Sequence, residues 1–188
     1  MNVQSQQFLL DLARKSIAHY FATGNMLRML AKQILLNELK QPRGSFVTLM
    51  KHGELRGCIG HIEPTQELYK DVIENAVSAA FDDPRFSPLQ IYELNDIQIE
   101  ISVLSTPTEV AYFSIEELLT RLQPGIDGVI ISKGNKGATY LPQVWEDFDT
   151  KEDFLTSLCL KAGLRKDEWM KGKLKVETYQ TEVFGEDT

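Results

Sequence analysis

The hexapeptide Leu55-Arg56-Gly57-Cys58-Ile59-Gly60 places a guanidinium and a thiol two residues apart, among glycines that carry no side chain. On a β-strand, side chains alternate between faces, so Arg56 and Cys58 are expected to point the same way. A cation beside a thiol favours the thiolate, the form that attacks electrophiles and binds metals. Arg56 would anchor an anionic or carboxylate group through its planar fork. Cys58 would face that group; Gly57 and Gly60 weaken a strand, so each suggests a bulge or close approach by another backbone or by the ligand. The same residues admit plainer readings. Free cysteine is among the most buried residue types, and Arg56 suits a structural ion pair with a carboxylate such as Glu100 or Asp83. A nucleophilic or redox Cys58 also calls for a base. The chain has three histidines, His19, His52 and His61. Strand alternation puts His61 on the face opposite Cys58 unless Gly60 bulges.

A second set of polar residues follows in Asp82-Asp83-Pro84-Arg85-Phe86. Asp83 and Arg85 are candidates to rim the same site. Asp before Pro also favours turn initiation, which gives Asp83 a purely structural alternative. Asp147, Asp149, Glu152 and Asp153 lack the spacing and the glycine of a calcium loop and read as a solvated acidic cap before a helix. Gly134-x-x-Gly137 is too short for a phosphate loop and lacks its Lys-Ser/Thr ending. Cys159 falls on the apolar stripe of its helix and reads as core. Neither a metal site nor a cofactor is expected.

These candidates need elements to hold them. Residues 5–22 have Leu9, Ala13, Ile17, Tyr20 and Phe21 at helical spacing, with Gly24 as the stop. A second helix is expected from Asn25 to Leu39, with Leu27, Leu30, Ala31, Ile34 and Leu35 on one stripe and Pro42 ending it. The period then changes to that of strands. Ser45–Met50 and Leu55–His61 read as a hairpin around His52-Gly53-Glu54. A helix follows from Thr65, burying Leu68, Val72, Ile73, Ala76 and Ala80. Ile97, Ile99, Ile101 and Val103 alternate with Gln98, Glu100 and Ser102, a strand with one wet face. Ser114/Glu117 and Thr150/Asp153 are capping boxes for two more helices. Val129-Ile130-Ile131 and Ala138–Leu141 read as a second hairpin with a loop at Gly134-Asn135-Lys136-Gly137. Trp169 sits on a short helical turn, and Leu174–Gln180 reads as the closing strand. The expected class is α+β with antiparallel pairing.

Composition sets the partners. The chain has 188 residues, 43% hydrophobic, and a formal net charge of −7. Residues 1–94 carry 10 Lys/Arg against 10 Asp/Glu, and residues 95–188 carry 10 against 17, so the second half supplies the whole excess. A long nucleic acid would meet overall repulsion. Lys40, Arg43, Lys51 and Arg56 face only Glu54 between positions 40 and 60, which suits a small polar or anionic ligand. With two distant cysteines, no basic-apolar leader pattern and no apolar run of spanning length, a reducing cytoplasm away from the membrane is the expected compartment.

Five ordered segments resemble the AMMECR family. They are Gly44-Ser45-Phe46-Val47-Thr48-Leu49, Leu55-Arg56-Gly57-Cys58-Ile59-Gly60, Ala80-Phe81-Asp82-Asp83-Pro84-Arg85-Phe86, Leu141-Pro142-Gln143-Val144-Trp145 and Lys161-Ala162-Gly163-Leu164. Together they run through nearly the whole chain. The resemblance implies an α+β fold in which helices flank an antiparallel sheet. It also implies one domain over 1–188 made of two unequal subdomains, the smaller around 43–90 and the larger formed by the N- and C-terminal parts. Ser45 joins Arg56, Gly57, Gly60, Asp83 and Arg85 as an expected ligand-binding residue, and Cys58 is the candidate catalytic residue. Memo-type and radical-SAM proteins are the partners the resemblance implies, in the AmmeMemoRadiSam system. Three functions stay open at this point: a ligand-binding protein, an enzyme using Cys58, and an adaptor. In one respect the chain departs from the family pattern, since segment 24–43 reads as helical where the family implies a looser connector.

Overall fold

A computed structural model describes residues 1–186. The chain divides into two compact units, Met1–Leu104 with the chain from Glu182 onward, and Ser105–Thr181. Residues 43–90 all belong to the first unit.

The first unit begins with helix α1 (Val3–Thr23). The Asn2 side chain accepts the Ser5 N–H at 2.8 Å, and Gly24 closes the helix at φ 67°, a left-handed conformation that glycine adopts without strain. Strands β1 (Ser45–Lys51) and β2 (Glu54–His61) form the expected hairpin. Its two turn residues, His52 and Gly53, both have positive φ, 52° and 82°, the twist that matches paired strands. Helix α2 (Leu68–Phe81) buries the predicted stripe, and β3 (Ile97–Leu104) pairs with β1 in antiparallel register. A last strand, β8 (Thr181–Gly185), completes a sheet of order β2-β1-β3-β8. Leu9, Ile17, Val47, Leu49, Leu68, Val72, Ala76, Ile99 and Ile101 share one core between this sheet and the two helices. β2 is therefore an edge strand, and Val47 and Leu49 turn inward while Thr48 stays half-exposed.

The expected helix over 25–39 does not form. The segment contains two short 3-10 turns, Ala31–Gln33 and Asn37–Lys40, flanked by extended residues at Leu30, Ile34, Leu36 and Gln41. Its apolar residues do not share a side: Ile34 and Leu39 are buried in the core, while Leu35 is 88% exposed. Fully burying two such side chains is worth about 1.5–3 kcal/mol each. Helix propensity differs by only about 0.5 kcal/mol per residue, so tertiary burial decides the conformation. The Ser5 hydroxyl also donates to Glu38, tying the second turn to α1.

In the second unit, β4 (Thr108–Glu109), β5 (Gly128–Lys133), β6 (Lys136–Tyr140) and β7 (Lys175–Tyr179) make an antiparallel sheet of order β4-β7-β5-β6. Helices α3 (Ile115–Arg121) and α4 (Lys151–Lys161) start at the predicted caps, Ser114 and Thr150. The β5–β6 connection is tighter than expected. Lys133 pairs with Lys136, which leaves a two-residue turn at Gly134-Asn135, with Gly134 at φ 62°. The Trp145 and Phe154 rings stack at 3.5 Å in this unit's core, beside the buried Cys159. The class is α+β with two antiparallel sheets and helices, as expected. No helix among the described residues is long and apolar enough to cross a membrane.

Candidate functional site

Cys58 stands opposite Thr48 in the β1–β2 register, and the Thr48 hydroxyl donates to its sulfur at 3.3 Å. It is half-buried rather than sealed. Its face is the one turned away from α2. The reason lies in its neighbour: a Cβ on Gly57 would sit 2.1 Å from the Ala79 carbonyl oxygen, so the backbone of α2 rests directly on that glycine. Gly60 is covered on the other face, where a Cβ would lie 2.3 Å from the Phe46 ring. Both glycines make room for the protein's own atoms. The expectation that they open space for a ligand is corrected on this point.

Arg56 does not accompany Cys58. The register slips between Leu49, paired with Gly57, and Met50, paired with Leu55, so Arg56 is the extra residue of a β-bulge. A bulge breaks the alternation on which the shared orientation depended. The guanidinium grips Glu93 with two bonds, Nε to Oε1 at 3.2 Å and Nη2 to Oε2 at 3.0 Å, and Nη1 donates to the Ser87 carbonyl at 2.9 Å. Lys51 Nζ adds a bond to Glu93 at 2.8 Å, and the Gln90 N–H adds another at 2.9 Å. These donors, Arg56 first, hold the Glu93 carboxyl down at about 2. Arg56 is thus a structural clamp, and its partner is neither Glu100 nor Asp83.

A different arginine reaches the backbone of Cys58. Asp83 is buried, and its Oδ2 accepts the Cys58 N–H at 2.8 Å and Arg85 Nη2 at 2.7 Å. Its Oδ1 accepts the Arg85 N–H at 3.1 Å and Arg85 Nε at 3.0 Å. Arg85 Nη2 also donates to the Cys58 carbonyl at 3.2 Å. The loop after α2 therefore satisfies both edge-facing backbone groups of Cys58, which blunts the edge strand at that point. The hydrogen bond from Arg85 is the main cause that holds the Asp83 carboxyl far below the usual carboxylate range. Asp83 in turn keeps Arg85 charged, and the Cys58 side chain contributes to the same effect. The Arg85 side chain is 54% exposed, against 15% for Arg56, and lies over the Phe86 ring at 5.5 Å. Asp83 and Arg85 do meet Cys58, as the sequence suggested, but Arg85 takes the position given to Arg56.

Ser45 is buried and its hydroxyl donates to Asp71 Oδ2 at 2.6 Å, so it offers nothing to a ligand from outside. Asp71 also holds His61, with Nδ1 2.8 Å from Oδ1. His61 pairs with Ser45 across the hairpin and faces away from Cys58, as alternation requires. Asp71 and Asn75 were missed. Their signal was present, since Leu68, Asp71 and Asn75 follow the inward-facing helical spacing i, i+3, i+7. Cys159 is core, its thiol pushed up by burial. Asp153 and Thr150 bond each other at the start of α4, which accounts for part of the acidic cluster there.

This geometry has counterparts. The profile of the AMMECR1 family matches residues 10–184. The protein MK0488 of Methanopyrus kandleri is 35% identical over 195 residues, covering 100% of this chain and 91% of that protein. The protein PF1979 of Pyrococcus furiosus is 39% identical over 187 residues, covering 96% of this chain and 88% of that one. The crystal structure of the uncharacterized protein PH0010 from Pyrococcus horikoshii superimposes with a TM-score of 0.81 at 35% identity, covering 96% of this chain and 90% of that one. The fold and the edge-strand motif define an α+β protein with two antiparallel sheets. The chain belongs to the AMMECR1 family.

Proposed function

We propose that the chain binds a small anionic group, such as a carboxylate or an inorganic oxyanion, beside Cys58, with Arg85 as its anchor. One observation carries this reading. Asp83 fixes the Nε–Nη2 edge of Arg85, while Nη1 makes no hydrogen bond among the described residues and the side chain is more than half exposed. A guanidinium held rigid on one side and open on the other is preorganised for a ligand. Cys58 would lie beside that ligand, since Arg85 Nη2 already donates to its backbone carbonyl at 3.2 Å. Covalent chemistry at Cys58 lacks a histidine base, because His61 faces the other side of the strand.

The test is alkylation of the folded protein near neutral pH. Iodoacetamide should label Cys58 before the buried Cys159, and added sulfate or acetate should slow the labelling of Cys58. In Arg85→Gln that protection should vanish while the protein stays folded. Labelling of Cys58 that ignores both anions overturns the reading.

A further inference from the structure

The side of β2 away from Cys58 holds a second arrangement of chemical groups. His61, the last residue of β2, has Nδ1 2.8 Å from Oδ1 of Asp71, a carboxylate buried at 1% exposure. Three other donors converge on that carboxylate. Ser45 Oγ at 2.6 Å and Asn75 Nδ2 at 2.9 Å reach Oδ2, and Gln66 Nε2 at 3.3 Å reaches Oδ1. With donors on both of its oxygens, this carboxyl faces the ring as an acceptor. The hydrogen of the neutral imidazole therefore belongs on Nδ1, which leaves the lone pair on Nε2. That atom makes no hydrogen bond among the described residues, and the His61 side chain is 42% exposed.

The support beneath the pair is built against stability. Asn75 is fully buried, and its Oδ1 has no hydrogen-bond partner among the described residues. A buried acceptor left unpaired is destabilising. Turning the amide over would not help. It would point Oδ1 at the Ser45 carbonyl and at Asp71, two acceptors that now take the hydrogens of Nδ2. The network fixes the amide in its costly orientation, and what it secures in return is an oriented Asp71.

We propose that His61 is a proton acceptor for a hydroxyl- or thiol-bearing ligand at this end of β2, with Asp71 as the positioning residue. The ligand's O–H or S–H proton passes to Nε2, and the electron pair stays on the ligand's oxygen or sulfur. The imidazolium so formed is balanced by the Asp71 carboxylate on Nδ1, the division of labour of a carboxylate–imidazole pair. Glu74, joined to Asp71 through Gln66 Nε2 at 2.8 Å, is the other acidic group tied to the network. Lys70 is occupied by Glu67 at 2.7 Å. The proposal does not rest on anion binding at Arg85, which bonds the Cys58 carbonyl three residues away along the strand.

The experiment is done on the full chain. Nitrogen NMR with labelled histidine should find His61 above neutral pH with its hydrogen on Nδ1 and a bare Nε2. Diethylpyrocarbonate, which acylates a free imidazole lone pair, should modify His61 about tenfold faster than His52, which sits exposed in the hairpin turn. In Asp71→Asn the amide can donate to Nδ1, the hydrogen moves to Nε2, and the advantage over His52 should disappear. Hydrogen found on Nε2 in the unmodified protein, a ring that stays doubly protonated well above neutral pH, or a His61 no more reactive than His52 would each overturn the proposal. The NMR result on the unmodified chain decides the matter even where Asp71→Asn does not fold.

Discussion

Arg56 and Arg85 are both arginines paired with a buried carboxylate, within one hairpin and the loop that borders it, yet they are built for opposite ends. Arg56 spends both edges of its fork, two bonds on Glu93 and one on the Ser87 carbonyl, and sits 15% exposed. Arg85 spends one edge on Asp83, leaves Nη1 without a partner among the described residues, and sits 54% exposed. Exposure and unspent donors, not residue type, separate a clamp from an anchor. The contrast can be broken or sharpened experimentally, beginning with the clamp.

Removing Arg56 should have the largest effect on stability. Arg56→Ala leaves a buried Glu93 with Lys51 as its one cation among the described residues, and breaking a buried pair costs about 3 kcal/mol. Urea unfolding should show this loss, with Cys58 alkylation of the folded form unchanged. The same pair predicts an acid response. The Glu93 carboxyl titrates near 2 in the folded protein, below its ordinary 4.5. A depressed carboxyl contributes stability that is fully present above 4.5 and is lost as pH falls toward 2, roughly 3 kcal/mol over that window. Glu93→Gln should flatten the urea midpoint between pH 5 and pH 2. A midpoint that falls equally steeply in the variant would remove Glu93 from the account.

The next effect separates backbone from side chain. Gly57→Ala puts a methyl 2.1 Å from the Ala79 carbonyl oxygen, and neither backbone can yield without parting β2 from α2. Overpacking of this kind costs about 2 kcal/mol. A neutral Gly57→Ala in urea unfolding would mean that α2 does not rest on β2 as described.

The elements that carry this comparison were mostly legible in the sequence. Alternation in Ile97–Val103, the stripe of α2 and the caps at Ser114 and Thr150 are local patterns, and local patterns survive folding. The contrast between the two arginines was not legible, because it turns on one inserted residue. Alternation predicted that Arg56 would share a face with Cys58. The bulge cancels that step; Gly57 and Gly60 hinted at a bulge, but nothing in Leu55–Gly60 placed it at Arg56. The helix expected over 25–39 failed for a related reason: its periodicity was real, but Ile34 and Leu39 gain more from reaching the core than the segment gains from helical bonds. The Asp71 network joins Ser45 and His61 on two strands to Asn75 on a helix, and such a union becomes visible only when the chain has closed.

The smallest stability effect is the most informative about the anchor. Arg85→Gln should lower stability by about 1 kcal/mol, less than Arg56→Ala, because the arginine half of the pair is exposed to solvent screening even though Asp83 is buried. Asp83 would not be stranded by the change. It keeps the Cys58 N–H at 2.8 Å and the N–H of residue 85 at 3.1 Å, so its buried carboxylate retains a donor on each oxygen. The loop should therefore stay docked on β2, and urea unfolding should run close to that of the unmodified protein. Against that quiet background, losing anion protection at Cys58 would isolate a binding role. If Arg85→Gln instead cost as much as Arg56→Ala, both arginines would be clamps, and the difference in their exposure would have no functional meaning.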